Sequence, residues 1–169
     1  MTRPQHASIG LVPAALPYRM TGLEILRAMM AGDIPSPPIC QTLGFALTEV
    51  AEGHAVFSGQ TSYGYLNPYG TVHGGYSAAL LDSAMTCAVQ SRVPAGFGLT
   101  TLEFKVSFVR GYVADTGMIR AVGTAINVGR RIGTSEGRLV DDRDRLLVHA
   151  TSTCLIMDLP PAPQAAPQP

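Results

Sequence analysis

The sequence predicts an α+β layer fold in which one long apolar helix is wrapped by a curved, mainly antiparallel sheet of about six strands. Three observations predict it. Residues 75–91, rich in Ala, Leu and Met, meet no helix breaker until Pro94 and read as one helix of about four to five turns. Short alternating segments flank that helix, two before it and four after. The links "NVGRR" and "DDRD" between later segments are the short polar connections of hairpins. With 169 residues, 46% of them apolar, the chain has enough material for one well-packed core.

Residues 1–20 carry three prolines and no sustained periodicity, which predicts an extended arm. Thr21 then offers a helix N-cap, with Glu24 three residues on as in a capping box. Gly32 and the following prolines stop the helix, and Leu23, Leu26 and Met30 are expected on its apolar face. "FALTEVAEGHAVFSGQ" alternates and turns at Glu52-Gly53, a hairpin of two strands. After the long helix, "TTLEFKVSF" alternates strictly. Leu102, Phe104, Val106 and Phe108 fall on one face and Thr101, Glu103, Lys105 and Ser107 on the other, wet one. Residues 117–128, 132–139 and 145–157 supply three more strands. The Pro- and Gln-rich "PPAPQAAPQP" cannot build a core and is expected to be disordered. The organisation is thus an arm and short helix over 1–37, one domain over 38–158 and a tail over 159–169.

Twelve basic residues balance twelve acidic ones. No global field holds nucleic acid or an anionic membrane, so an anionic ligand has to be met locally. Cys40, Cys87 and Cys154 are far apart in apolar contexts and form no C-x-x-C pair for zinc or redox work, which suits a reducing cytoplasm. The early stretch "ASIGLVPAAL" is broken by Gly10 and Pro13, and the longest apolar segment by Asp82. Neither a signal peptide nor a transmembrane helix is expected.

The stretch "NPYGTVHGGYSAALLD", residues 67–82, carries the chemistry. Its helix is apolar nearly all round and is expected to be buried. An ionised Asp82 is costly there unless something pairs with it or uses it. Either it is a structural carboxylate bonded to a neighbouring loop, or it is a general base or nucleophile. Gly74 and Gly75 let the backbone approach a ligand closely, and the first helical N–H groups lack intrahelical partners and suit a developing oxyanion. The alternative is an ordinary Gly-rich entry to a helix. Gly75 and Asp82 share a face but stand about 10 Å apart along the axis, at 1.5 Å per residue, and His73 is further still. One chain therefore does not bring both to one reacting atom, whereas two antiparallel copies of the helix across a two-fold axis do. The sequence predicts an obligate homodimer with two composite sites.

An Asn, then HGG, then an Asp nine positions past the His resembles the hotdog-fold acyl-CoA thioesterases of the phenylacetate-degradation type, a likeness spanning residues 40–157. It extends to "GLTTLEFKVSFVRG" and "GRRIGTSEGRLVDDRDRLLVHATST". The resemblance implies dimers that often pair into tetramers, and hydrolysis of a thioester to CoA and a free acid, with no cofactor beyond the substrate and no metal. It implies Asp82 as general base or nucleophile, and a Gly74 or Gly75 N–H polarising the carbonyl. Asn67 and His73 would act from the opposite subunit, with the Thr101 hydroxyl near the water. Asn67 before Pro68 also reads as a turn residue and Thr101 as an ordinary strand threonine. Arg110, Arg130 and Arg131 are the candidates for the CoA phosphates, each equally readable as a solvated turn residue. His6, His54 and His149 read as structural or surface residues. Two alternatives keep the fold: a module that binds acyl-CoA without cleaving it, and a dehydratase or hydratase acting on the acyl chain.

Overall fold

The computed structural model describes residues 7–161, so the expected tail from 162, His6 and the first six residues of the arm lie outside it. In chain order the elements are α1 (Gly22–Ala31), α2 (Pro38–Leu43), β1 (Phe45–Ala51), β2 (His54–Gln60), α3 (Gly74–Gln90), β3 (Phe97–Phe108), β4 (Met118–Val128), β5 (Ile132–Asp141) and β6 (Leu146–Asp158). The strands form one antiparallel sheet in the order β1-β2-β4-β5-β6-β3, and α3 touches all six of them from one face.

Small residues set how deep α3 sinks. Gly123 of β4 and Gly137 of β5 are cross-strand partners beneath the middle of the helix. A Cβ at Gly123 would stand 2.2 Å from the Ala84 carbonyl oxygen, and one at Gly137 would stand 2.8 Å from Cγ of Met85. The helix backbone therefore lies almost directly on the central strands, and the sheet closes round it. Leu80, Leu81, Ala84, Met85 and Ala88 are completely buried on that side. The opposite side of α3 is less covered than its composition predicts: Asp82, Ser83, Thr86, Cys87 and Gln90 are only half-buried. The reason is strand order, which leaves β3 as the sheet's edge with one flank unpaired.

Strict alternation along β3 is also broken. Thr101 pairs with Cys154 and Glu103 with Thr153, so Leu102 is an extra residue, a bulge. Directly paired residues share a face. Thr101 therefore lies on the same side as Phe104, Val106 and Phe108, facing α3, rather than on the wet side with Glu103 and Lys105. Leu102 itself turns outward, 54% exposed.

The capping box at α1 is present. The Thr21 hydroxyl accepts from the Glu24 amide, and the Glu24 carboxylate accepts from the Thr21 amide at 2.7 Å. The buried stripe of α1 runs through Gly22, Ile25 and Leu26, while Met30 is exposed. The helix is rolled relative to expectation because Gly22 presses on α3, where a Cβ would meet the Gln90 carbonyl oxygen at 1.9 Å. From residue 7 the arm is docked on the domain. Ile9 bridges to Ser36, the Gly96 amide donates to the Pro17 carbonyl, and the Tyr18 hydroxyl donates to the Pro160 carbonyl. Pro38 at the first helical turn explains α2, a short helix the proline-rich pattern had hidden.

Candidate active site

His73 caps α3. Its Nδ1 accepts the Gly75 amide at 2.9 Å, so of the two glycine N–H groups proposed for an oxyanion, that of Gly75 is already engaged. The Gly74 amide has no partner among the described residues. Gly74 has to be glycine for another reason as well, because the Phe108 ring lies against it and a Cβ would stand 2.7 Å from Cζ.

A pocket of about 290 Å³ opens beside Gly74, and both Asn67 and Arg110 line it. The Asn67 side chain is used within its own loop. Its Oδ1 accepts from the Tyr69 and Thr71 amides, and its Nδ2 donates to the Thr71 hydroxyl at 2.7 Å. It shapes the entry to α3. The pocket wall also holds a pair the sequence reading missed, Ser77 and Tyr112, whose buried hydroxyls lie 2.8 Å apart. Burial pushes the Tyr112 phenol up to about 12, against the opposing pull of the Ser77 hydrogen bond, so it remains a neutral hydroxyl at physiological pH.

Asp82 lies two turns further along α3. Its Oδ1 accepts from the Thr101 hydroxyl at 2.9 Å, across from β3. Thr86, one turn on, stands 3.4 Å from the same oxygen and 2.9 Å from the Thr101 hydroxyl oxygen. Each hydroxyl has one proton to give. With Thr101 donating to Asp82, Thr86 donates to Thr101, a short chain that fixes the carboxylate's rotamer. Thr86 was absent from the sequence reading, although its i+4 spacing from Asp82 was a usable signal. Oδ2 of Asp82 has no partner among the described residues. The carboxylate is thus held at one oxygen and open at the other.

The remaining arginines do not join this group. Arg130 and Arg131 line a separate pocket of about 280 Å³ with Phe97 and Asp158, at the opposite end of β3 from Arg110. His149 stands 3.7 Å from Glu136. Among the described residues no three His, Cys, Asp or Glu side chains group closely enough to hold a metal ion, and no helix is long and apolar enough to cross a membrane.

Among the described residues the fully buried carboxylate is Asp141, not Asp82. Burial pushes its pKa up, but the Arg145 guanidinium and the amides of Arg145 and Arg143 more than offset this and hold the carboxyl below its ordinary range. It is a structural anchor for the β5–β6 turn. Asp82 differs in that its polar contacts among the described residues are neutral hydroxyls, which orient the carboxyl group without forming an ion pair.

A single curved antiparallel sheet wrapped on a long, glycine-entered helix is the hotdog fold. The family model of the thioesterase superfamily matches residues 69–148. A phenylacetic acid degradation-related protein of Ralstonia eutropha JMP134 is 30% identical, with a TM-score of 0.70, over 77% of this chain and 98% of that one. The phenylacetic acid degradation protein PaaI of Thermus thermophilus, in a mutant form, is 29% identical, with a TM-score of 0.63, over 70% of this chain and 97% of that one. A 1,4-dihydroxy-2-naphthoyl-CoA hydrolase of Listeria monocytogenes is 25% identical over 69% of this chain and 91% of its own length. The chain belongs to the thioesterase superfamily and is a thioester hydrolase.

Proposed function

We propose that the protein is an acyl-CoA thioesterase whose two sites are each shared between two copies of the chain. The observation that carries this reading is the Thr101–Asp82 hydrogen bond, which leaves one carboxylate oxygen free on the half-buried side of α3. The Gly74 amide, about 12 Å away at 1.5 Å per residue, is too far to serve the same carbonyl within one chain. The unpaired flank of β3, with Phe104, Phe108 and Val109 exposed, supports a second copy seated beside it. An antiparallel arrangement about a two-fold axis sets the helix start of one copy against the middle of the other.

In this reading the Gly74 amide of one subunit polarises the thioester carbonyl, and Asp82 of the other acts as general base or nucleophile. As a base, Asp82 takes a proton from water as the water oxygen bonds to the carbonyl carbon. The oxyanion is held by the amide, the C–S bond then breaks, and the thiolate recovers the proton. Thr101 and Thr86 orient the carboxylate. His73 fixes the loop that presents Gly74, and Arg110 faces the same pocket, where guanidinium suits a phosphate. The protein is expected to work in the cytoplasm, as a dimer or a pair of dimers.

The test is incubation of purified protein with a panel of acyl-CoAs and a thiol reagent. Release of CoA that is abolished in Asp82→Asn supports the reading. Binding of acyl-CoA without release overturns it in favour of a carrier or sensor module.

A further inference from the structure

We infer that the N-terminal arm and α1 form the closed end of the acyl site and select a medium-length, unbranched acyl tail. This inference rests on the acyl-CoA reading above. Asp82, Thr86 and Gln90 lie at i, i+4 and i+8 and so form one stripe down α3. Thr101, Leu99 and Phe97 form the facing stripe on β3, their partners Cys154 and Ile156 being buried on the same side. The two stripes meet where Thr101 bonds Asp82 and Thr86. About 12 Å along the helix axis from Asp82, Gln90 and Leu99 of the same two stripes line a pocket of about 150 Å³.

Val12, Pro17 and Met20 of the arm and Ile25 of α1 close that pocket. Among the described residues no charged side chain lines it, so it suits hydrocarbon and not the phosphates of CoA, which fit the arginine-bearing pockets elsewhere. Its volume is about that of an apolar cavity known to hold benzene, enough for the last few carbons of a chain. An aryl group attached close to the carbonyl would not reach it.

The experiment compares kcat/KM for acetyl-, octanoyl-, decanoyl- and phenylacetyl-CoA in the full-length wild type, Val12→Phe and Met20→Ala. Both substituted residues are half-buried on the arm, outside the central core. Filling the pocket with Val12→Phe is expected to lower the decanoyl-to-acetyl ratio of kcat/KM about tenfold, the scale on which apolar pockets discriminate chain length. Enlarging it with Met20→Ala should move the preference toward longer chains. Equal changes across the panel, or none, overturn the inference while leaving the hydrolase intact. A wild type that prefers phenylacetyl-CoA over every straight chain also overturns it. Inactivity of the wild type on the whole panel overturns the acyl-CoA reading itself.

Discussion

The Thr101 hydroxyl donates to Asp82 Oδ1 at 2.9 Å, joining the sheet's edge strand to the middle of the central helix. A bulge at Leu102 makes this contact possible by turning Thr101 toward α3. Thr101 carries no charge, so it orients the Asp82 carboxyl group without forming an ion pair. Asp82→Asn is expected to lower kcat by about 10²–10⁴, the usual worth of a positioned acid–base group. Thr101→Val should cost about tenfold or less by loosening one hydrogen bond, and Thr101→Ser should restore most of it. Steady-state CoA release checks all three, with circular dichroism to confirm that the variants fold.

The proposed sharing of each site between two subunits makes a quantitative prediction. Asp82→Asn and Gly74→Ala are each expected to be nearly inactive as homodimers. Mixed one to one after unfolding and refolding, half the dimers are heterodimers with one intact site. Activity should therefore recover to about a quarter of wild type, from the two-fold symmetry of the sites. No recovery despite heterodimer formation by native mass spectrometry would place Asp82 and the oxyanion donor in one chain.

Acid stability should depend on Asp141. Its carboxyl is held below the ordinary value of 3.8 in the folded chain. A depressed pKa contributes stability that is fully present above the unfolded value and is lost as pH falls through the folded one. Wild-type Tm should therefore decline as pH drops below about 4. Asp141→Asn should lower Tm by several degrees at pH 7 and flatten that decline, since the slope comes from the missing proton. Thermal melts from pH 7 to pH 3 measure both.

The three thiols should be slow to react. Burial pushes Cys40 up to about 11 and Cys87 up to about 12, and it raises Cys154 as well. Only the thiolate is nucleophilic. At neutral pH a disulfide reagent should modify far less than one thiol per chain within minutes and all three after denaturation. Such a result also clears the thiol-coupled assay of protein background.

Much of this molecule was legible in one dimension. The Thr21–Glu24 capping box, the unbroken run of residues 75–91 and the alternation of the strands are local signals. Each reflects backbone hydrogen bonding and side-chain spacing within a few residues. The odd position of Asp82 in an apolar helix was visible for the same reason.

What the sequence alone determined was the set of elements, their order and the helix residue whose chemistry is out of place. Tertiary structure decided which side of α3 is covered, because strand order and the Gly123–Gly137 contact set the helix's seat. It also decided that Thr101 faces Asp82, through a one-residue bulge that no alternating pattern announces, and that His73 occupies the Gly75 amide while that of Gly74 has no partner among the described residues. Pairings between distant residues depend on register and packing, which are properties of the assembled sheet and are not written in any short stretch of chain.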